Sequence, residues 1–349
     1  MTRRHAPVVH GRTGEPRRDT GGLAPEDGLR GEGASREGGP GGTESWDGWR
    51  LVADYHTHTR FSHGRGSIAD NVAAAARAGL AEVGICDHGP ALLFIGLRSE
   101  ERLDEMRRQV EQAGAGNPSV KVLLGVEANV ISPDGDLDIS EGAIAGLDIL
   151  LVGLHPQIRP SLWQGAWPLV WKNGVGRVSR MLGLDGRAAA EVRRLNTLAL
   201  VRAVERYRVL AVTHAGLKMH VDMEELAEVC ARRGTAIEIN SLHGYPREED
   251  LAVALRCGAR FIISSDAHRP AQVGWLEAGR ERARRAGIPP HLVLNACKEQ
   301  ASSPGADWLG PGPPGAACGQ QARQRWRRER GWAERGRTGF VAKNGMAGW

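Results

Sequence analysis

Residues 120–127 read VKVLLGVE, a β-branched, apolar run that ends on a carboxylate. The run is too short for a typical buried helix, and its apolar residues fall on both alternating faces. A strand enclosed on both sides of a parallel sheet has that composition. The same construction recurs in both directions along the chain. Before it stand 51–55 (LVADY) and 82–86 (EVGIC); after it stand 148–154 (DILLVGL), 209–213 (VLAVT), 235–240 (TAIEIN) and 260–264 (RFIIS). Helical patterns fall between them. Ser67 and Asp70 form a capping-box signature opening an Ala-rich helix over 67–79, which Gly79 stops, and over 222–233 Met223, Leu226, Val229 and Cys230 share one stripe. Strands alternating with helices signify parallel strands joined by crossover helices. Seven such units within residues 47–298 predict an α/β barrel closed by parallel strands, with a doubly wound open sheet as the alternative.

The flanks have a different composition. The chain has 349 residues, 41% of them apolar, enough for a sizeable core, and its 47 glycines and 18 prolines concentrate at the two ends. Residues 1–46 combine Gly, Pro, Arg and Glu with few branched apolar residues, and residues 299–349 contain GPGPPG followed by RQRWRRERGWAERGR. Such segments cannot bury enough surface to offset chain entropy, so both are expected to be disordered tails. Of the formal charge of +5, residues 299–349 carry +4 and residues 1–46 carry none, which leaves +1 for residues 47–298. A near-neutral central domain argues against a long nucleic acid as partner, because a strand or duplex needs several cationic contacts. The tail's Trp308, Trp326, Trp332 and Trp349 stand near arginines that can stack on bases, although such tracts are more often solvated.

No stretch approaches the roughly 18 apolar residues of a membrane span, and the N-terminus lacks a secretory-type apolar core; a soluble, cytoplasmic protein with no membrane partner is expected. The five cysteines are odd in number and scattered, which predicts reduced thiols. Residues 157–195 interrupt the alternation with Trp163, Trp167 and Trp171 at four-residue spacing, around Pro168. They read either as a helix packed onto the barrel or as a lid over a substrate.

Seven of the twelve histidines fall at or just past the C-terminal end of a predicted strand: His56, His58, His63, His88, His155, His214 and His268. Glu127 closes the third strand and Asp266 follows the seventh. In a parallel barrel all these positions meet at one mouth, where the chemistry of such folds is built. One histidine after a strand is more often a hydrogen-bonded loop residue than a ligand, but nine ligand-type side chains at one rim point to metal. Imidazole mixed with carboxylate suits Zn, Mn, Fe or Co better than Ca or Mg, which favour all-oxygen shells. Nine ligands exceed the needs of one ion. A carboxylate can bridge two cations about 3.5–4 Å apart, and Glu127 is the candidate bridge. Arg159 and Arg269 stand at the same mouth as candidate phosphate-binding residues, with Arg65 and Lys218 as further candidates. Asn240 reads as orienting a ligand, whereas His220, His243 and His291 read as surface histidines.

The motifs DYHTHT (54–59), DHG (87–89), GVEAN (125–129), LHP (154–156), THAG (213–216), EIN (238–240) and SSDAH (264–268) together resemble the PHP (polymerase and histidinol phosphatase) domain family, over about residues 51–298. The resemblance implies a distorted (β/α)7 barrel with a centre of two to three divalent cations, zinc, manganese or iron. It implies one cation on His56, His58, Glu127 and Asp266, a second on Glu127, His155 and His214, and a third on His63, His88 and His268. At one point the chain departs from the pattern: four residues separate His58 from His63, where the histidinol phosphatase branch usually has five. The shorter loop is closer to that of PHP domains attached to bacterial family X polymerases.

The expected activity is hydrolysis of a phosphate ester by a metal-activated hydroxide, with Glu127, Asp266 and His268 as catalytic residues. The expected substrate is a small metabolite phosphate of the histidinol phosphate, nucleotide or sugar phosphate type. The alternatives are an exonuclease or oligonucleotide phosphoesterase, and a metal-binding module without turnover.

Overall fold

A computed structural model describes residues 45–158, 169, 171–174 and 186–299. The expected disordered tails, Arg159, Trp163, Trp167 and most of the interrupting segment lie outside the described residues. Seven strands form one parallel sheet in chain order: β2 (Ala53–Thr57), β3 (Glu82–His88), β4 (Lys121–Asn129), β5 (Ile149–Gly153), β6 (Ala211–Val212), β7 (Ala236–Asn240) and β8 (Arg260–Ser264). Between successive strands run α1 (Ile68–Arg77), α2 (Arg102–Gly116), α3 (Glu141–Ala145), α4 (Gly186–Arg206), α5 (Met223–Arg233) and α6 (Glu248–Arg256); α7 (Glu277–Arg285) follows β8. The Ser67/Asp70 capping box opens α1, and the predicted stripe of α5 is buried at Met223, Leu226, Val229 and Cys230. Among the described residues no helix is long and apolar enough to cross a membrane.

The sheet closes on itself, which excludes the doubly wound alternative. Thr57 bridges Ala267 in parallel, and the His58 amide donates to the Ala267 carbonyl at 2.8 Å. Lower down, Asn295 fills the gap between β2 and β8. Its Nδ2 donates to the carbonyls of Ala53 and Ile263, each at 2.7 Å, and its Oδ1 accepts from the Ile263 amide at 3.0 Å. One carboxamide thus stands in for the missing ladder. Asn295→Ala would leave these buried backbone groups without partners, for an expected loss of about 3 kcal/mol read as a lower urea midpoint. An unchanged midpoint would show that water replaces the carboxamide at no cost.

Beside the barrel, β1 (Trp49–Leu51) pairs antiparallel with β9 (Ala296–Lys298), a ribbon absent from the sequence expectation. Cys86, Cys230 and Cys257 are reduced as expected, whereas Cys297 is disulfide-bonded, against the expectation of reduced cysteines throughout. Trp171 is 56% exposed, and Leu169 of the same segment is buried in the core.

Alternation along the strands sorts the core into two layers. Val122, Leu124, Val126 and Ala128 face outward into the sheet–helix core, while Leu123 belongs to a separate inner cluster with Ala53, Tyr55, Cys86, Ile149, Leu151, Ala211, Ala236 and Ile262. Continued upward, the same period of two carries the inward face from apolar residues to His88, Glu127, Gly153, Thr213, Glu238 and Ser264. The barrel interior therefore turns from apolar to polar at its C-terminal mouth.

Candidate metal centre

Strand register supplies the first pair. His88 on β3 lies directly beside Glu127 on β4, so both side chains enter the barrel at one level. His56 comes from β2, whose pairing with β3 shifts between Asp54 and Thr57; a bulge of this kind re-aims the side chains around it. His58 and His63 follow β2, and His155, His214, Asp266 and His268 come from the turns after β5, β6 and β8. His214 and Asp266 have φ of 26° and 55°, so two site residues sit in the left-handed region, a backbone cost held in place by their surroundings.

The two oxygens of Glu127 face different sets of imidazoles. Oε2 lies 2.7 Å from His88 Nδ1, 3.2 Å from His56 Nε2 and 3.7 Å from His58 Nε2. Oε1 lies 2.9 Å from His214 Nε2 and 3.6 Å from His155 Nε2, and it also accepts from the Thr213 hydroxyl at 2.8 Å. Asp266 Oδ1 is 3.1 Å from His58 Nε2 and 3.6 Å from His56 Nε2. A Cβ at Gly153 would come within 2.5 Å of Thr213 Oγ1 and 3.2 Å of Glu127 Oε1, so the absent side chain leaves this carboxylate its space. His63 stands on the rim with its ring 5.0 Å from that of His88 and 4.2 Å from that of His268. All nine residues expected from the sequence therefore converge.

The donors fit divalent cations. Glu127 Oε2, His88 Nδ1, His58 Nδ1 and His155 Nδ1 are buried without a hydrogen-bond partner. The close approach of Glu127 Oε2 to His88 Nδ1 is thus not a hydrogen bond, and such orphaned buried atoms are costly unless something else satisfies them. Ligand atoms within 4.8 Å of one another occur in three groups: His56, His58 and Asp266; His88, Glu127 and His155; His58, His88 and His268. His88 and His58 therefore each belong to two groups, a closer interleaving than the three sets implied by the resemblance.

Protonation states also fit. Burial would raise the pKa of Glu127, but the imidazoles of His56, His88, His155 and His214 outweigh it and hold the carboxyl well below its usual range. Asp266 is likewise held low, by His56 and His58, against the effect of burial. Burial and the neighbouring His88 push His58 well below the usual imidazole value, and burial does the same to His155 against the pull of Glu127. Ionised carboxylates beside neutral imidazoles are the forms that ligate metal. His56 and His214 depart from this pattern: Glu238, Glu127 and Asp266 outweigh the burial of His56, and Glu127 and Glu238 outweigh that of His214, so both are raised and a cation there displaces a proton.

Four functional residues escaped the sequence analysis. Glu238, fully buried, accepts from His56 Nδ1 at 2.6 Å and from the His214 amide at 2.6 Å. Asp54 accepts from the Ser265 amide and hydroxyl and from the Gly274 amide, anchoring the turn that carries Asp266. Asp87 accepts from the amides and hydroxyls of Thr59 and Ser62, anchoring the loop between His58 and His63. The fourth is His243, a surface histidine as expected and 39% exposed in its side chain, whose Nε2 nevertheless lies 3.3 Å from Asp266 Oδ2. Its loop is folded back by the His243 amide donating to Asn240 Oδ1 at 2.8 Å, while Asn240 Nδ2 donates to Asp266 Oδ2 at 3.0 Å, the orienting role expected of Asn240. Arg269 is exposed beside His268 and has no side-chain partner among the described residues.

Residues 54–219 match the model of the PHP domain family. A probable phosphatase of Thermoanaerobacter sp. (strain X514) is 28% identical over 263 residues, covering 70% of this chain and 91% of that protein. A probable phosphatase of Tolumonas auensis is 28% identical over 263 residues, covering 70% and 90%. The probable phosphatase YcdX of Escherichia coli O1:K1 / APEC is 26% identical over 259 residues, covering 69% and 89%. Among solved structures, a histidinol phosphate phosphatase of Lactococcus lactis complexed with zinc, L-histidinol and phosphate aligns with a TM-score of 0.47 at 15% identity, over 68% of this chain and 94% of that one.

Proposed function

This chain belongs to the PHP family and is a hydrolase of its metal-dependent phosphoesterase type, and from that premise we propose that it is a phosphatase acting on a small phosphorylated metabolite. The observation that carries the proposal is Glu127, buried, ionised and turned toward His56, His58 and His88 with one oxygen and toward His155 and His214 with the other. His56, His58, Glu127 and Asp266 would hold one cation, Glu127, His155 and His214 a second, and His63, His88 and His268 a third. Zinc, manganese or iron suits this donor set. Such cations, when bound, lower the pKa of water and neutralise phosphate oxygens.

The chain's own groups set the rest of the geometry. His56 donates through Nδ1 to Glu238, so that displacement of its other proton opens the Nε2 lone pair toward Glu127. His268 donates through Nδ1 to the Asp266 carbonyl at 2.9 Å, leaving its Nε2 free. Asn240 and His243 occupy Asp266 Oδ2 and leave Oδ1 toward His58. Asp266 and His268 would relay protons between the leaving oxygen and solvent, the first being buried and the second 23% exposed in its side chain. Arg269, and Arg159 past the fourth strand, would clamp the phosphate, since a guanidinium meets two of its oxygens at once.

A small substrate agrees with the near-neutral charge of residues 47–298. The test is elemental analysis of the purified protein, followed by a phosphate-release screen over histidinol phosphate, nucleotides, sugar phosphates and short oligonucleotides. Release from a monoester at least tenfold faster than from any oligonucleotide is expected. Faster cleavage of oligonucleotides would establish the exonuclease alternative, and no turnover in metal-loaded protein would refute the phosphatase.

A further inference from the structure

The turn between β7 and α6 carries an imidazole that the nine expected ligands leave without a task. His243 stands three residues past Asn240. Its Nε2 lies 3.3 Å from Asp266 Oδ2, and its ring centroid lies 6.1 Å from that of His214. It thus neighbours one residue of each of the two ligand sets that Glu127 joins. It belongs to none of the groups whose ligand atoms lie within 4.8 Å of one another. Its side chain is 39% exposed, against 3% for Asp266 and 5% for His214, so it stands on the solvent side of both.

The turn that presents His243 is held on every side. The His243 amide donates to Asn240 Oδ1 at 2.8 Å, the Gly244 amide to the Asn240 carbonyl at 3.2 Å, and the Asn240 amide to the Tyr245 carbonyl at 2.9 Å. Ser241 donates its amide to the Ser264 carbonyl of β8 at 2.9 Å, and the buried Arg282 donates to the carbonyls of Asn240 and Pro246. Gly244 takes a φ of 66°, which a glycine adopts without strain. An exposed side chain on a turn tied down in this way is pre-organised, so the cost of ordering it falls on folding rather than on binding.

The chemistry of the imidazole is also open. Asp266 Oδ2 already accepts from Asn240 Nδ2 at 3.0 Å, and the 3.3 Å approach of His243 is longer than an ordinary N–H···O bond. No other side chain or carbonyl among the described residues hydrogen-bonds to its ring. Even a neutral imidazole keeps one N–H, whichever nitrogen carries it. We propose that His243 contacts the substrate, donating a hydrogen bond to a phosphate oxygen at the mouth, and takes no part in holding metal. A hydrogen bond to an ionised phosphate is roughly twice as strong as one between neutral groups, so a single donor here is felt in affinity. The inference rests on the phosphatase reading and names a further residue of that site.

Orthophosphate inhibition of p-nitrophenyl phosphate turnover by the full-length protein at saturating metal is the test. His243→Ala should raise the competitive Ki of orthophosphate about tenfold and lower kcat/KM by at least as much. Metal content by elemental analysis and metal affinity by chelator competition should be unchanged, which the loss of a metal ligand would not allow. His243→Gln keeps an N–H donor and should return Ki to within about threefold of wild type, a rescue that also serves if the alanine variant is unstable. An unchanged Ki in His243→Ala, with wild-type turnover intact, would overturn the inference and leave the phosphatase standing. So would loss of bound metal in that variant, since His243 would then belong to the metal centre. If the wild type released phosphate from no ester, the phosphatase reading would fail and this inference with it.

Discussion

Glu127→Gln is expected to lower kcat by about a thousandfold and to remove cations from two sites in one step. The substitution conserves volume, and Glu127 is wholly buried, so the effect is one of charge and donor chemistry. Glutamine keeps one carbonyl oxygen and replaces the other with an NH2 that has no lone pair to offer. Whichever way the amide turns, either the His56, His58 and His88 side or the His155 and His214 side faces a donor where it now faces an anion. Losing a bridging ligand forfeits several kcal/mol of transition-state charge stabilisation, and about 4 kcal/mol corresponds to the stated factor. Elemental analysis alongside steady-state kinetics at saturating metal checks both halves. Normal metal content with normal turnover would refute the bridge. A loss confined to one cation would keep the metal centre but move the bridge elsewhere. His63→Ala, at the rim, should by contrast affect only the third cation.

The contrast between those two positions reflects what the sequence could carry. Strand ends were legible because one of the nine residues stands at or shortly past the end of six of the seven apolar runs: the run 260–264 coincides with β8, and Glu127 and His88 follow from the ends of neighbouring strands in register. Convergence of the nine residues then follows from parallel topology alone. The antiparallel ribbon of β1 and β9 was not legible, because three residues on each side are too few to show a period. Nor was the role of Asn295, whose value lies in reaching two strands at once across a gap that only closure creates. Asp54, Asp87 and Glu238 stood inside the recognised motifs without a role, since a sequence shows that a carboxylate is present but not which loop amides it will grip. His243 is the surface residue its place in the loop implies, but its nearness to the site was not legible, because only the Asn240 hydrogen bond folds its loop back over Asp266.

Glu238 gives the second large prediction, since it acts on the cations without being placed to touch one. Its Oε1 accepts from His56 Nδ1 and from the Ser264 hydroxyl, both at 2.6 Å, and its Oε2 accepts from the His214 amide at 2.6 Å and from Asn240 Nδ2 at 3.2 Å. Burial works to raise the Glu238 carboxyl, but His56 outweighs it, so the group stays ionised at neutral pH and acts purely as an acceptor. A hydrogen bond from Nδ1 leaves the His56 Nε2 lone pair free to ligate. In Glu238→Gln one of the two oxygens becomes an NH2. Turned toward His56, it forces the proton from Nδ1 to Nε2 and removes the ligand lone pair; turned toward His214, it meets a backbone N–H that cannot move its hydrogen. Metal affinity at the His56 site should fall about 10- to 100-fold. Activity should return toward wild type as metal is raised to saturation, with the KM for substrate unchanged. A chelator-competition titration reads the affinity directly, and metal-dependent rescue separates this positioning role from a general loss of fold, which added metal at the active site would not restore to normal kcat. If Glu238→Gln bound metal as tightly as wild type, the tautomer of His56 would have to be fixed by something other than this carboxylate, and no other side chain among the described residues hydrogen-bonds to its Nδ1.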